Sequence, residues 1–344
     1  MDQLLQRLSV FGKTLCLGLV LSISTPLLAI PSIIPTNNSF SALQNFLELE
    51  RQNAGLKSKA LTIGNVTWKY SEGGSSQKPS VLLIHGLAGN RDNWNKVAQY
   101  LTPYYHVIIP DLPTNEDIQI PKKLDMSVPS VSSELRQFVE AIHIENNLNI
   151  AGHSLGGSIA TYYASQYPFD TQSLFLLSSA GIYKEAKTSY ALNPSTLKNL
   201  VITKPGDLDH VLSKLMQSPP RVSADIKSAQ EKLLISQALQ TTQLIDQIIK
   251  LNQIYTPETF ARLTRSVEAP TLILWGKQDQ IINYEVANEL QHLFKRAETP
   301  IILNNVGHMP ILEAENLVAQ SYLPFLSKTQ NLKNPLADKL IPLN

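Results

Sequence analysis

The sequence predicts an α/β protein: a mostly parallel central sheet with helices on both faces and a helical cap inserted late in the chain. Three observations lead there. Short continuous apolar runs recur along the chain, and such runs suit strands buried on both faces. Segments with helical spacing separate them, which implies parallel strands joined by helical crossovers. One long interval then interrupts the alternation with helical signals alone.

Taken in order, residues 40–51 predict a surface helix, and ALTIGNVTWKY (residues 60–70) alternates as a half-buried strand ending at the turn signal Glu72-Gly73-Gly74-Ser75-Ser76. The buried-strand runs are SVLLIH (80–85), YHVIIP (105–110), LNIA (148–151), SLFLL (173–177), TLILW (271–275) and PIIL (300–303). Helical spacing covers 92–101, 131–144, 155–167, 284–293 and 314–325. Between 183 and 267 no strand pattern appears. Leu244, Ile245, Ile248 and Ile249 make one apolar helical face there, and Leu212, Leu215 and Met216 a shorter one. The expected organisation is a first core segment at 31–182, a helical cap at 183–267, a second core segment at 268–326 and a polar tail at 327–344.

Residues 1–30 differ in kind. Arg7 and Lys13 precede TLCLGLVLSISTPLLA, which runs without a charge to Ala29, the order of a secretory leader. The expected location is therefore extracytoplasmic, secreted or periplasmic. The alternative is membrane association through an uncleaved anchor, because the apolar run is close to the roughly 17 residues that can just span a bilayer. Cys16 is the one cysteine, so the chain can form no intramolecular disulfide and no cysteine-based metal site, and loss of the leader would remove it. The seven histidines lie far apart with no metal-type pair at helical spacing, so no metal and no other cofactor is expected. With 29 Lys+Arg against 28 Asp+Glu and no basic block, nucleic acid is not an expected partner.

Only 15 glycines occur, yet three of them, Gly152, Gly156 and Gly157, surround one serine in NIAGHSLGG. The serine follows an apolar strand and opens a helix. A turn that sharp lifts the hydroxyl of Ser154 to the end of the sheet and brings the positions two residues either side into collision, which glycine avoids. Gly157 would let the helix pack closely on the sheet. Ser154 is thus the candidate nucleophile, and a serine hydroxyl needs a base that is itself oriented. His308, in NNVGHMP after PIIL, is the candidate base, with Gly307 leaving room for its ring. Asp279, in WGKQDQII after TLILW, is the candidate orienting carboxylate. Their order along the chain, Ser then Asp then His, is that of strand-turn-helix serine nucleophiles. An oxyanion would need two donors; the backbone N–H groups of Leu155, opening the helix, and of Leu87, in HGLAGN, are the candidates. His153 reads as structural, and Asp111 as a loop or capping residue.

With these residues assembled, the chain resembles the α/β-hydrolases over residues 61–326. LLIHGLAGNRDNW, HVIIPDL, GHSLGG, SLFLLSSAGIY, PTLILWGKQDQII and VGHMPILEA are similar to exported bacterial lipases of the Moraxella and Psychrobacter type and to monoacylglycerol lipases. The resemblance implies hydrolysis of lipid-like carboxylic esters, with Ser154, Asp279 and His308 as triad and Leu87 and Leu155 as oxyanion donors. One stretch departs from it. The family continues after HVIIPDL into a glycine-rich loop on the acyl side of the pocket, whereas this chain reads DLPTNEDIQIPKK. Amidase or peptidase activity and carbon–carbon bond hydrolysis share the same triad and remain open at this point, as does a non-catalytic binding protein on the scaffold. A peptidase for free N-termini would need acidic groups at its site; the cap carries Glu185, Asp207, Asp209, Asp225 and Glu231. A dehalogenase would carry aspartate where this chain has Ser154.

Overall fold

The computed structural model describes residues 38–112, 125–252 and 255–331. The leader read in residues 1–30, most of the DLPTNEDIQIPKK stretch and residues 332–344 lie outside them. Eight strands form one sheet: β1 (Leu56–Ile63), β2 (Val66–Gly73), β3 (Ser80–Ile84), β4 (His106–Pro110), β5 (Leu148–His153), β6 (Thr171–Leu177), β7 (Thr271–Gly276) and β8 (Ile301–Leu303). Their order is β1-β2-β4-β3-β5-β6-β7-β8. The six strands from β4 to β8 run parallel, and β1 and β2 are antiparallel additions at one edge.

The single strand expected at 60–70 is in fact a hairpin. Ile63 pairs with Val66 across a two-residue loop, and Gly64 sits at φ +57°. The Gly-Asn dipeptide is a recognised hairpin signal, and the apolar alternation slips by one position across it, from Leu61 and Ile63 to Val66, Trp68 and Tyr70. Exposed β1 carries Lys57 and Lys59 on the sheet edge, where charge discourages pairing with another chain.

Strands β4, β5 and β7 are buried along their whole length, as their uninterrupted apolar runs require. Alternate residues feed two cores. Leu82, Ile84, Ile150, Leu174, Leu176, Ile273 and Trp275 pack with α3 (Val128–Ala141), α4 (Leu155–Gln166) and α10 (Val286–Leu293). Val81, Leu83, Ala151, Phe175, Leu177, Leu272 and Leu274 pack on the other face with α2 (Asn95–Leu101) and α12 (Glu315–Thr329). The helix expected at 314–325 is α12, preceded by a separate short helix, α11 (Pro310–Glu313), with Ala314 (φ −147°, ψ 42°) between them. Ser327 is buried within α12, which runs to Thr329, and donates to the Leu323 carbonyl; the rest of the segment expected as a tail at 327–344 lies mostly outside the described residues.

Between β6 and β7 the described residues contain helices but no strand. These are α5 (Ser189–Leu192), a 3-10 segment (Pro194–Leu200), α6 (Asp207–Leu215), α7 (Ala224–Ser236), α8 (Ala238–Asn252) and α9 (Pro257–Arg265). Ile202, Leu208 and Val211 form a small core of their own there. Tyr183, Phe260 and Val267 instead belong to the sheet's core, with Tyr183 and Phe260 edge to face at 5.4 Å, so the packing is continuous across the ends of the 183–267 interval.

The chain passes from β3 to β4 on one side of β3 and then returns to place β5 on the other. The order in which the chain adds parallel strands reverses there, and a crevice opens at the carboxyl ends of β3 and β5.

Candidate functional site

Ser154 occupies that crevice, between the last residue of β5 and the first of α4, with φ 52° and ψ −121°. A non-glycine residue at positive φ is costly and persists only where its surroundings hold it. Here the Ser154 N–H donates to the Leu177 carbonyl at 3.0 Å, and its own carbonyl accepts from Gly157 at 2.8 Å and Ala180 at 2.9 Å. The glycines are required by close approach of backbone. A side chain on Gly152 would be driven into the Gly156 carbonyl, and one on Gly156 into the carbonyls of Ile84 and His85. The second contact seats the start of α4 against the end of β3. Gly157 faces Ser179 just after β6, so it does set how closely helix and sheet pack. Gly86, which the motif reading did not use, lies against Ser154 itself, 3.0 Å from its Cβ to where a methyl would stand.

The structure brings the three distant candidates together. His308 Nε2 lies 3.0 Å from Ser154 Oγ, and His308 Nδ1 lies 2.8 Å from Asp279 Oδ2. Because an ionised carboxylate only accepts, Nδ1 carries the proton and Nε2 presents its lone pair to the serine hydroxyl. The Asp279 side chain is fully buried, and its other oxygen accepts from the N–H groups of Ile281 at 2.8 Å and Ile282 at 2.9 Å. The Trp275 indole donates to the Ile282 carbonyl at 2.9 Å and pins the same turn. The reason expected for Gly307 needs correcting. A side chain there would meet the Leu215 carbonyl at 2.7 Å and Met216 Cα at 3.0 Å, so its smallness makes room for the inserted helical segment rather than for the imidazole.

His153 donates from Nε2 to the backbone carbonyl of His308 at 2.7 Å. Burial, with the nearby His308 ring adding to it, pushes its pKa down to about 3, so it stays neutral and holds the histidine loop. On the other flank, His85 is buried and its pKa is lowered, chiefly by desolvation. As a neutral ring it donates from Nδ1 to the Gly86 carbonyl and accepts at Nε2 from the Leu112 N–H. Asp111 accepts from the backbone and guanidinium of Arg91 at 2.7 and 2.5 Å, a capping role that ties the end of β4 to the loop after β3. These bonds hold the loop bearing Leu87, which lines one cavity together with Ser154 and Leu155. The Leu155 N–H opens α4 and has no carbonyl within the helix to receive it.

That cavity measures about 240 Å³. Its walls come from α4 (Ser158, Tyr162), the loop after β6 (Ala180, Ile182), the inserted helices (Leu197, Ile248, Phe260, Leu263) and the Asp279 turn (Ile281, Ile282). Among the described residues no charged side chain lines it, and none of Glu185, Asp207, Asp209, Asp225 or Glu231 reaches it. Among the described residues no group of three or more His, Cys, Asp or Glu could hold a metal ion. A hydroxyl, a neutral imidazole and a buried carboxylate in one line, opening on an apolar cavity, can deprotonate the hydroxyl as it attacks an acyl carbonyl.

Residues 79–315 match the family described by the alpha/beta hydrolase fold, and the chain belongs to it. Among individual relatives, Lipase 1 of Psychrobacter immobilis is 30% identical over 319 residues, 92% of this chain and 97% of its own length. The crystal structure of a provisionally assigned lipase from Acinetobacter baumannii is 57% identical, covers 84% of this chain and 97% of its own, and superposes with a TM-score of 0.82. That of a membrane phospholipase A is 31% identical over 86% of this chain and 93% of its own, with a TM-score of 0.79.

Proposed function

We propose that this protein is a serine hydrolase that cleaves acylglycerols or other lipid-like carboxylic esters, with Ser154 as nucleophile, His308 as general base and acid, and Asp279 orienting and charge-compensating the imidazole. The observation that carries this reading is the unbroken hydrogen-bonded line from Asp279 through His308 to Ser154, opening on a cavity whose described lining residues are uncharged. Ser154 Oγ attacks the ester carbonyl while Nε2 takes its proton; the carbonyl electrons move onto oxygen, which the N–H groups of Leu87 and Leu155 receive. Collapse of that intermediate returns the proton to the departing alcohol and leaves an acyl-serine. Water, deprotonated by the same nitrogen, then releases the carboxylic acid. The inserted helices serve as a cap whose apolar residues shelter the acyl chain. The named lipases among the relatives support the substrate class. None of the cap carboxylates a peptidase for free N-termini would use, Glu185, Asp207, Asp209, Asp225 and Glu231, lines the cavity. The leader-like residues 1–30 support action outside the cytoplasm.

The test is hydrolysis of p-nitrophenyl esters of increasing acyl length, with monoacylglycerol, triacylglycerol and phosphatidylcholine alongside, by wild type and Ser154→Ala. The reading expects activity on medium or long acyl esters that the variant loses by at least about a thousandfold. Ester hydrolysis that survives in Ser154→Ala would sink it.

A further inference from the structure

Of the residues in VGHMPILEA, the triad uses only the histidine. Glu313, five positions on at the end of α11, makes contacts that the catalytic line does not explain. Its Oε1 accepts the N–H of Gly307, the residue before His308, at 2.9 Å. Its Oε2 accepts two N–H groups from the inserted helical segment, Gln217 at 2.7 Å and Ser218 at 3.0 Å. One carboxylate therefore bridges the histidine loop and the chain just after α6. The His308 N–H itself donates to the Leu215 carbonyl at 2.7 Å, and Gly307 is packed on Met216, so the two segments meet along their backbones. The aspartate turn is fastened to another part of the insertion in a similar way. Asn283 accepts from the Lys187 N–H at 2.7 Å and donates to the Glu185 carbonyl at 3.1 Å, while the Thr188 hydroxyl donates to the Ile281 carbonyl. Neither half of the acid–base pair rests on the sheet alone.

We propose that Glu313 is a positioning residue that splints the His308 loop to the Leu215–Ser218 segment, so that the placement of the inserted helices sets the distance from His308 Nε2 to Ser154 Oγ. The inference rests on the serine-hydrolase reading above. Its physical basis is that a histidine base works only while its nitrogen stays within hydrogen-bond reach of the hydroxyl it deprotonates, and small misplacements of such groups cost rate steeply. A carboxylate can serve both sides because each of its oxygens accepts. A glutamine of the same shape has one accepting oxygen, and its NH₂ group would face N–H donors, so it can hold Gly307 or the pair Gln217 and Ser218 but not both.

The experiment compares wild type, Glu313→Gln, Glu313→Asp and Glu313→Ala. Each is assayed well below the onset of its own thermal unfolding, and kcat is expressed per serine titrated by a fluorophosphonate. Glu313→Gln should lower kcat by about tenfold or more with KM within about twofold, and the rate constant for fluorophosphonate labelling should fall with kcat. Glu313→Asp, which keeps both accepting oxygens on a shorter stem, should recover part of the loss. If Glu313→Ala does not fold, the glutamine and aspartate variants decide. Glu313→Gln with kcat within about twofold of wild type, or with KM raised and kcat unchanged, would overturn the inference while leaving the hydrolase reading intact. A wild-type protein that neither hydrolyses esters nor labels at Ser154 would instead remove the reading on which it rests.

Discussion

Replacing Asp279 by asparagine changes one atom, and the structure specifies which way the new amide must face. Oδ1 of Asp279 accepts two backbone N–H groups, from Ile281 and Ile282, while Oδ2 alone faces His308. The amide oxygen of asparagine therefore takes the Oδ1 position. Reversing it would point an NH₂ at two buried N–H donors and leave both unsatisfied, at about 1–3 kcal/mol each, or roughly 2–6 kcal/mol together. The NH₂ then faces Nδ1, which must become an acceptor, and the imidazole proton moves to Nε2. In that tautomer the ring donates to Ser154 and cannot take its proton. Loss of the tautomer-setting carboxylate in serine hydrolases of this type lowers kcat by about four orders of magnitude, equivalent to about 5.4 kcal/mol of transition-state stabilisation. The assay is kcat on a p-nitrophenyl ester, with the thermal midpoint recorded to confirm folding. A folded Asp279→Asn variant with kcat within about tenfold of wild type would refute the reasoning, because it would mean that the amide orientation or the histidine tautomer is not set by these three bonds.

Gly152→Ala should destabilise the protein by at least about 1–3 kcal/mol, read as a lower urea midpoint at unchanged slope, since the obstacle is the backbone of Gly156 and Gly157 and no rotamer relieves it; an unchanged midpoint would mean that the strand-to-helix turn is looser than described. His153 gives a pH prediction whose sign follows from its depressed pKa. Below its ordinary value of 6.5 the unfolded chain takes up a proton that the folded protein, with this pKa at about 3, refuses, so stability falls as pH drops through that window. The contribution is about 1.4 kcal/mol per pH unit. Other titrating groups add their own dependence, so the informative quantity is the difference from His153→Gln, which should lose stability less steeply between pH 6.5 and 4. Parallel curves for the two proteins would contradict the assignment of a neutral buried ring.

Much of the site is legible in the sequence. The runs SVLLIH, LNIA and TLILW are buried strands because only strands covered on both faces can afford unbroken apolar sequence, and Ser154, Asp279 and His308 each follow such a run or one like it. Local chemistry also marked the glycines around Ser154. The hairpin at Gly64-Asn65 is also marked locally, by a Gly-Asn turn signal and a one-residue slip in the alternation, so a single strand over 60–70 overlooks a signal the sequence carries. The function of Gly307 was misjudged because what crowds it, the backbone from Leu215 to Gln217, is some 90 residues away in the chain.

What the sequence determined by itself is therefore the set of parts: an alternating α/β chain, a serine on a glycine-flanked turn, and a histidine and an aspartate placed after strands in the required order. Those features are local, set by side-chain periodicity and by the backbone freedom of a few residues. The tertiary structure decided which parts touch. It placed β5 beside β3, laid Asp279 in a turn whose own N–H groups hold it, made His153 and His85 neutral struts, and fastened the histidine loop to the inserted helices through Glu313. Apart from the Asp279 turn, whose bonds are local, those outcomes depend on hydrogen bonds between residues tens of positions or more apart, and their pairing is established only when the two cores close on either face of the sheet.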